Sequence, residues 1–226
     1  MPSIKDSLKN SLSSIDDAAH LFGKKTDDIC LVAVSKTKPV EMIEEAYEAG
    51  QRHFGENRML ELQEKATALT YPDIQWHMIG TLQTNKIKYI APYVHWIHSV
   101  YKAKQLDEIE KRAAQNNRII QVLLQVNISD EDQKGGCLPT QVPHLLAHAE
   151  PMEHVVVRGL MGMAKFTDNK EEIHTSFRLL ANTLFHNKVQ YPKLRELSMG
   201  MSNDYFIAIE EGATMLRIGS AIFGGL

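Results

Sequence analysis

A lysine follows the first β-branched run of the sequence, within the segment LVAVSKTKP at residues 31–39. Side chains alternate along a strand, so Val32, Val34 and Lys36 would share one side of it. If that side faces the interior of a barrel, the amine lies at the mouth above an apolar floor. Desolvation there favours the neutral amine, which is the form that attacks carbonyl groups. The alternative is a solvated lysine at the end of a strand.

Two later segments combine glycine with hydroxyl side chains directly after short β-strand patterns. They are SMGMS at residues 198–202 and RIGSA at residues 217–221. Glycine lets the backbone approach a ligand closely, and backbone N–H groups and hydroxyls are donors for a phosphate. Each segment alone could be an ordinary tight turn. Together, after the last two strands, they predict a phosphate site, because barrels commonly hold phosphate there.

Three further polar residues are candidates for ligand contacts. Arg217 faces inward if the strand alternation holds, and a buried guanidinium requires an acceptor. That acceptor could be a carboxylate of the core, or a ring nitrogen or phosphate of a ligand. Asn57 could bind a ligand oxygen or cap the following helix. His77 falls within a strand, where a core histidine with satisfied hydrogen bonds is the commoner outcome.

Other site types are not indicated by the sequence. His95 and His98, like His144 and His148, have a spacing that metal ligands can have, but no HExxH segment or cysteine cluster accompanies them. There is also no Walker loop, no GxGxxG after a strand and no GxSxG segment. We therefore expect no metal site.

Short apolar runs alternate with helical patterns along the chain. Eight strands joined by crossover helices predict parallel pairing, and eight parallel strands close into a (β/α)8, or TIM, barrel. An open doubly wound sheet is the alternative. The expected strands are residues 30–35, 53–55, 75–79, 95–99, 119–126, 155–161, 196–198 and 215–218.

The segment before the first strand predicts one more helix. Its apolar residues recur every three or four positions, as on one helix face: Ile4, Leu8, Leu12, Ile15 and Ala19. We expect this helix to pack on the outside of the barrel. Because the chain contains no stretch with the composition of a linker, residues 1–226 are expected to form one domain.

Composition excludes several classes of protein. The 226 residues are 43% hydrophobic and 23% charged, which is ordinary for a globular protein. The net charge of −3 provides no basic excess for nucleic acid. No run of apolar residues is long enough for a membrane span, the N-terminus lacks a signal sequence, and two cysteines make no disulfide framework. We expect a cytoplasmic protein without nucleic-acid or membrane partners, and a monomer, because no long apolar stripe is left uncovered.

A lysine after the first strand and a phosphate site after the last two are an arrangement suited to pyridoxal 5′-phosphate (PLP) held as a Schiff base. The sequence resembles the pyridoxal phosphate homeostasis proteins, the YggS/PROSC family, which are relatives of the barrel domain of alanine racemase. The matching segments are AVSKTKP (33–39), GQRHFGEN (50–57), WHMIGTLQTNK (76–86), RGLMGMA (158–164) and LSMGMSNDYFIAIEEGATMLRIGSAIFG (197–224).

The resemblance implies a (β/α)8 barrel of alanine racemase type in which Lys36 is the Schiff-base lysine. It matches Arg217 to the pyridine nitrogen and Asn57 to a position near the phenolic edge of the cofactor, and His77 lies in a matching segment. The candidate phosphate residues that it implies are Ser202, Gly219 and Ser220, with Ser198 and Gly200 in the same segment.

The resemblance also implies a function. Members of the family are described as PLP-binding proteins without an established catalytic reaction, acting in vitamin B6 and amino-acid homeostasis. We therefore expect a carrier or buffer of PLP with no catalytic residues, and apo forms of PLP-dependent enzymes as acceptors. One alternative is a PLP-dependent enzyme similar to an amino-acid racemase. Another is a barrel that handles a different phosphorylated carbonyl compound through the same lysine, as an aldolase does.

Overall fold

The computed structural model describes residues 3–129 and 135–225. Its centre is a closed barrel of eight parallel strands that pair in chain order, with the last strand returning to the first. The strands are β1 (Cys30–Val34), β2 (His53–Glu56), β3 (Gln75–Met78), β4 (Trp96–Val100), β5 (Ile120–Gln125), β6 (Val155–Met161), β7 (Glu196–Ser198) and β8 (Met215–Ile218). The predicted (β/α)8 barrel is confirmed. The open doubly wound sheet is wrong, because β1 pairs with β8 and closes the barrel, whereas an open sheet ends in two edge strands.

Helices cover the outside of the barrel, as parallel strands require. They are α1 (Ile4–Leu21), α2 (Val40–Glu48), α3 (Met59–Ala68), α4 (Ile87–Ile90), α5 (Ala103–Gln115), α6 (Val142–Ala149), α7 (Lys170–Lys188), α8 (Tyr205–Glu210) and α9 (Ser220–Phe223). Each of the longer helices buries an apolar stripe, such as Ile43 and Ala46 of α2. In the described ranges, no helix combines the length and the apolar character that crossing a membrane requires.

The leading helix α1 packs outside the barrel against α2, α8 and α9, as predicted. Its first backbone N–H, that of Ile4, donates to the carboxylate of Glu45 in α2. Leu12 was expected on the buried face, but its side chain is exposed. Successive steps of four residues turn a helix face by about 40°, so Leu12 falls at the edge of the stripe that Ile4 and Leu8 begin.

The barrel interior contains polar side chains. The ring of His98 in β4 contacts the hydroxyl of Ser198 in β7, and these strands are not neighbours in the sheet. The two side chains can therefore meet only across the interior. Arg217 of β8 reaches the same point, and its strand neighbour Val32 is fully buried. The alternation predicted for Val32 and Arg217 places both on the inner side of the sheet.

Candidate functional site

Arg217 places a guanidinium in the barrel interior with only 5% of the residue exposed. It donates to the carbonyl oxygen and hydroxyl of Ser198, at 2.7 and 2.6 Å, and to the carbonyl of Gly162 at 3.1 Å. Three of its five N–H groups are thus used, and the other two have no acceptor among the described residues. Burial lowers the pKa of Arg217 to about 10, against the opposing effect of Asp204, so the group stays charged at neutral pH. No core carboxylate pairs with it in the described ranges, which favours a ligand as its remaining acceptor.

Behind Arg217, side chains form a continuous hydrogen-bonded chain across the barrel. His98 Nδ1 lies 2.9 Å from the Ser198 hydroxyl. His98 Nε2 lies 2.8 Å from His77 Nδ1, and His77 Nε2 lies 3.0 Å from His53 Nδ1. Both ring nitrogens of His77 contact other histidines. His77 is therefore a core histidine with satisfied hydrogen bonds and not a residue that contacts a ligand directly. It reaches Arg217 only through its neighbours.

His53, His77 and His98, which form this row of hydrogen bonds, are neutral at neutral pH. Burial lowers the pKa of His77 and of His98 well below the usual range. The charge of Arg217 lowers the pKa of His98 further, and neighbouring histidines do the same for His77. Burial also lowers the pKa of His53, which is half-buried at the start of β2. These three histidines are therefore polar but uncharged neighbours of the charged Arg217.

The hydroxyls of Ser202 and Ser220 meet 3.2 Å apart after β7 and β8. Both serines line a cleft of about 690 Å³, together with Lys165 and Met163. Two of the candidate phosphate residues, Ser202 and Ser220, therefore come together as a pair. Ser198 does not join them, because its hydroxyl is held between His98 and Arg217 at the end of β7.

The two glycines of these loops allow close approach of the backbone. A Cβ atom on Gly219 would lie 3.0 Å from the carbonyl oxygen of Val34. Gly200 has a φ of +93°, and a Cβ there would lie 2.6 Å from that of Ala208. Larger side chains would therefore disturb the turns that carry the two serines.

Lys36 lies two residues beyond the end of β1, in the loop that leads to α2. Its side chain is exposed, and its amine has no hydrogen-bond or ion-pair partner among the described residues. The prediction that strand alternation would desolvate this amine is wrong, because the strand ends at Val34. After Lys36 the chain turns, and Thr37 has a left-handed backbone conformation with φ of +62°.

Asn57 lies after β2, but it does not cap the next helix. The N-cap of α3 is Arg58, and no side chain caps it. The Asn57 amide has no hydrogen-bond partner among the described residues and lines a cleft of about 1110 Å³ with Thr37 and Lys38. Because Asn57 does not cap the helix, its side chain is available to contact a ligand, which is the other role that the sequence allows.

Comparison with known proteins assigns the family. The model of the alanine racemase N-terminal domain matches residues 11–226. A pyridoxal phosphate homeostasis protein of Aquifex aeolicus is 40% identical over 218 residues, which cover 96% of this chain and 96% of that one. The chain belongs to the pyridoxal phosphate homeostasis protein family. The resemblance inferred from the sequence segments is confirmed.

Solved structures related to this member of the family share its barrel. A protein from Bifidobacterium adolescentis is 31% identical with a TM-score of 0.91, covering 98% of this chain and 94% of that one. PipY of Synechococcus elongatus, in a structure with PLP bound, is 36% identical with a TM-score of 0.82. That similarity covers 93% of this chain and 100% of PipY.

Sequence reasoning about this family member missed a buried charged cluster beneath the Lys36 loop. The ammonium of Lys65 donates to the carboxylates of Glu56 and Glu61, each at 2.7 Å, and to the carbonyl of Ser35 at 2.8 Å. Lys65 falls on the same face of α3 as the buried Met59 and Leu62. The sequence signal that could have revealed this cluster is a lysine within the apolar stripe of a helix.

Proposed function

We propose that this protein binds PLP, with the Lys36 amine joined to the cofactor aldehyde as a Schiff base and Arg217 donating to the pyridine nitrogen. The observation that carries the proposal is the buried guanidinium, which is held by neutral oxygens and keeps two N–H groups for a ligand. An unprotonated ring nitrogen is an acceptor that suits these donors. The PLP bound in the related PipY supports the same ligand for this chain.

The phosphate group is proposed to bind at the hydroxyls of Ser202 and Ser220 and at the backbone of Gly219. The two hydroxyls meet 3.2 Å apart and can each donate to an anion. A side chain at position 219 would crowd the carbonyl oxygen of Val34, so glycine supports a tight turn against which a phosphate can lie close to the backbone. The described residues therefore fit the group. The free amide of Asn57 is proposed to face the phenolic edge.

PLP, when bound, supplies an aldehyde that combines reversibly with amines. The exposed position of Lys36 supports an exchangeable rather than a sealed linkage, because amines from solution can reach it. The positive charge of Arg217 opposes protonation of the ring nitrogen, since two positive charges would face each other. A ring that stays unprotonated is a weaker electron sink, which disfavours carbanion chemistry. We therefore propose a carrier without catalysis rather than a racemase-like enzyme.

The proposed role is PLP and amino-acid homeostasis, in which the protein holds the cofactor and supplies apo PLP-dependent enzymes. The names of its relatives, pyridoxal phosphate homeostasis proteins, support the part of this role that concerns PLP. We propose that it acts in the cytoplasm as a monomer. The cysteines Cys30 and Cys137, which form no disulfide, are compatible with a reducing compartment.

An absorbance titration tests the proposal. Addition of PLP to the purified protein should produce a visible Schiff-base band. Reduction with borohydride followed by peptide mapping should label Lys36. The variant Lys36→Ala should lose the band, whereas Lys38→Ala, in the same loop, should keep it.

Three results would contradict the proposal. A label on a lysine other than Lys36 would reject the assigned linkage. Absence of any band in the wild type would favour a different phosphorylated carbonyl ligand. Turnover of an amino acid that is abolished in Lys36→Ala would support the racemase-like alternative instead of the carrier.

A further inference from the structure

The hydrogen-bonded chain behind Arg217 runs from the cofactor side of the barrel to its opposite end. Ser198, His98 and His77 lie on three different strands and are completely buried. The chain ends at His53, which is the first residue of β2 and is half-buried. The loops that carry Lys36, Ser202 and Ser220 lie at the other end of the strands.

The chemistry of the end groups gives this chain a direction. A guanidinium can only donate, so the Ser198 hydroxyl accepts from Arg217 and must place its own hydrogen elsewhere. Among the described residues, the acceptor within reach is Nδ1 of His98, at 2.9 Å. His98 therefore carries its ring hydrogen on Nε2. A buried hydroxyl hydrogen without an acceptor is destabilising, which disfavours the reverse direction.

The same reasoning extends along the chain. His98 Nε2–H donates to His77 Nδ1 at 2.8 Å, which leaves the ring hydrogen of His77 on Nε2. That hydrogen points to Nδ1 of His53 at 3.0 Å. Each imidazole is then a neutral donor and acceptor, and every hydrogen between Arg217 and His53 has an acceptor.

We propose that His98, His77 and His53 are positioning residues that hold Arg217 through Ser198, as one hydrogen-bond relay in which all three rings carry hydrogen on Nε2. The relay fixes the guanidinium, and with it the direction of the two N–H groups that remain for a ligand. The part of this inference that concerns PLP rests on the proposed function; the direction of the relay does not.

Two features of the interior support the neutral form that the relay requires. Burial and the neighbouring Arg217 charge both lower the pKa of His98. An imidazolium at His98 would also donate from Nδ1 to Ser198, whose hydroxyl would then receive two donors and have no acceptor for its own hydrogen. Protonation of the relay is thus incompatible with the geometry around Arg217.

The direction of the relay is tested without the cofactor. Long-range ¹⁵N–¹H correlation spectra of the full chain at neutral pH distinguish the two neutral tautomers and the imidazolium. We expect hydrogen on Nε2 for His53, His77 and His98. Hydrogen on Nδ1 of His77 or His98, or a charged ring at either position, would overturn the relay.

The positioning role is tested by variants at His98. The variant His98→Leu removes the acceptor for the Ser198 hydrogen and should weaken PLP binding about tenfold and shift the Schiff-base band. The variant His98→Gln offers an amide oxygen to the same hydrogen and should restore most of the affinity. His95→Leu is the matched control, because His95 lies outside the relay and accepts from the backbone N–H of Trp76.

A second variant avoids the deeply buried position. His53→Leu removes the last acceptor at the half-buried end, and it should cause a smaller shift of the same band. If His98→Leu and His53→Leu both bind PLP with the wild-type affinity and spectrum, the positioning role is wrong. If the wild type itself binds no PLP while the three tautomers are as expected, the proposed function fails and the relay stands.

Discussion

The ammonium of Lys65 lies 2.7 Å from the carboxylate of Glu56, and both side chains are almost completely buried. The Ser35 hydroxyl donates to the same carboxylate at 2.6 Å. Glu61, the second partner of Lys65, accepts from the backbone N–H of Thr37 at 2.6 Å. The residues on both sides of Lys36 are therefore bound to one buried charged cluster, which sets the course of the exposed loop.

The variant Lys65→Met should strongly destabilise the protein. It removes the only ammonium that the described residues place against Glu56, and burial already raises the pKa of that carboxyl. Loss of one partner from a buried ion pair costs about 3–5 kcal/mol, because the other charge is left uncompensated. Urea denaturation followed by circular dichroism measures the change.

The double variant Lys65→Met with Glu56→Gln distinguishes the energetic effect of the buried ion pair from that of side-chain packing. It leaves no buried unpaired charge at Glu56, so its stability should exceed that of Lys65→Met alone. Arg112→Met is a surface control, because Arg112 pairs with Glu108 while both are partly exposed, and should cost less than about 1 kcal/mol. A cost for Lys65→Met as small as that of this control would contradict the role given to the cluster.

Two glycines with similar backbone conformations should respond differently to substitution. Gly200 and Gly212 have φ values of +93° and +95°. At Gly212 an added Cβ meets no atom within 4 Å, whereas at Gly200 it meets Ala208 at 2.6 Å. We expect Gly212→Ala to cost about 1 kcal/mol from strain and Gly200→Ala about 3 kcal/mol or more from strain and overlap. Equal melting temperatures of the two variants would contradict this reasoning.

The buried histidines predict loss of stability in mild acid. The pKa values of His77 and His98 are lowered in the folded protein, so below pH of about 6.5 the unfolded chain binds more protons than the folded one. Their contribution is complete above about pH 6.5 and is lost as the pH falls, by up to about 1.4 kcal/mol per pH unit for each histidine. Urea denaturation at a series of pH values measures the slope.

The control variant for this slope lies outside the barrel interior. His148→Gln changes a partly exposed side chain that pairs with Asp107 and leaves both buried histidines in place. A free energy of unfolding that stays constant from pH 6.5 to pH 5 in the wild type would show that the interior histidines take up protons without unfolding.

Local patterns in the sequence predicted the fold well. The runs ending at Met161, Ser198 and Ile218 coincide with β6, β7 and β8, because parallel strands buried on both faces are short and apolar. The sequence predicts an end of β1 that is one residue too late. The residue types of Ser35 and Lys36 fit the end of a strand as well as the start of a turn. That difference decided the exposure of Lys36.

The site was predicted only in part, for a related reason. Periodicity indicates which face of a strand a side chain occupies, but not which side chains meet across a closed barrel. His98 and Ser198 are 100 positions apart, and only the closure of the sheet brings their side chains together. The contacts of Lys65 were missed for the same reason, because they join α3 to two separate strand ends.

The serine pair predicts a selective loss of phosphate recognition. Hydrogen bonds to charged groups contribute about 1.5–3 kcal/mol, so Ser202→Ala and Ser220→Ala should each weaken PLP binding by at least about tenfold. Pyridoxal, which has the aldehyde and the ring but no phosphate, should bind the variants and the wild type equally. Ser14→Ala, on the nearby helix α1, is the matched control and should bind PLP as the wild type does. If the serine variants lost affinity for pyridoxal as much as for PLP, the prediction would be wrong. The two serines would then stabilise the loops and would not bind the phosphate.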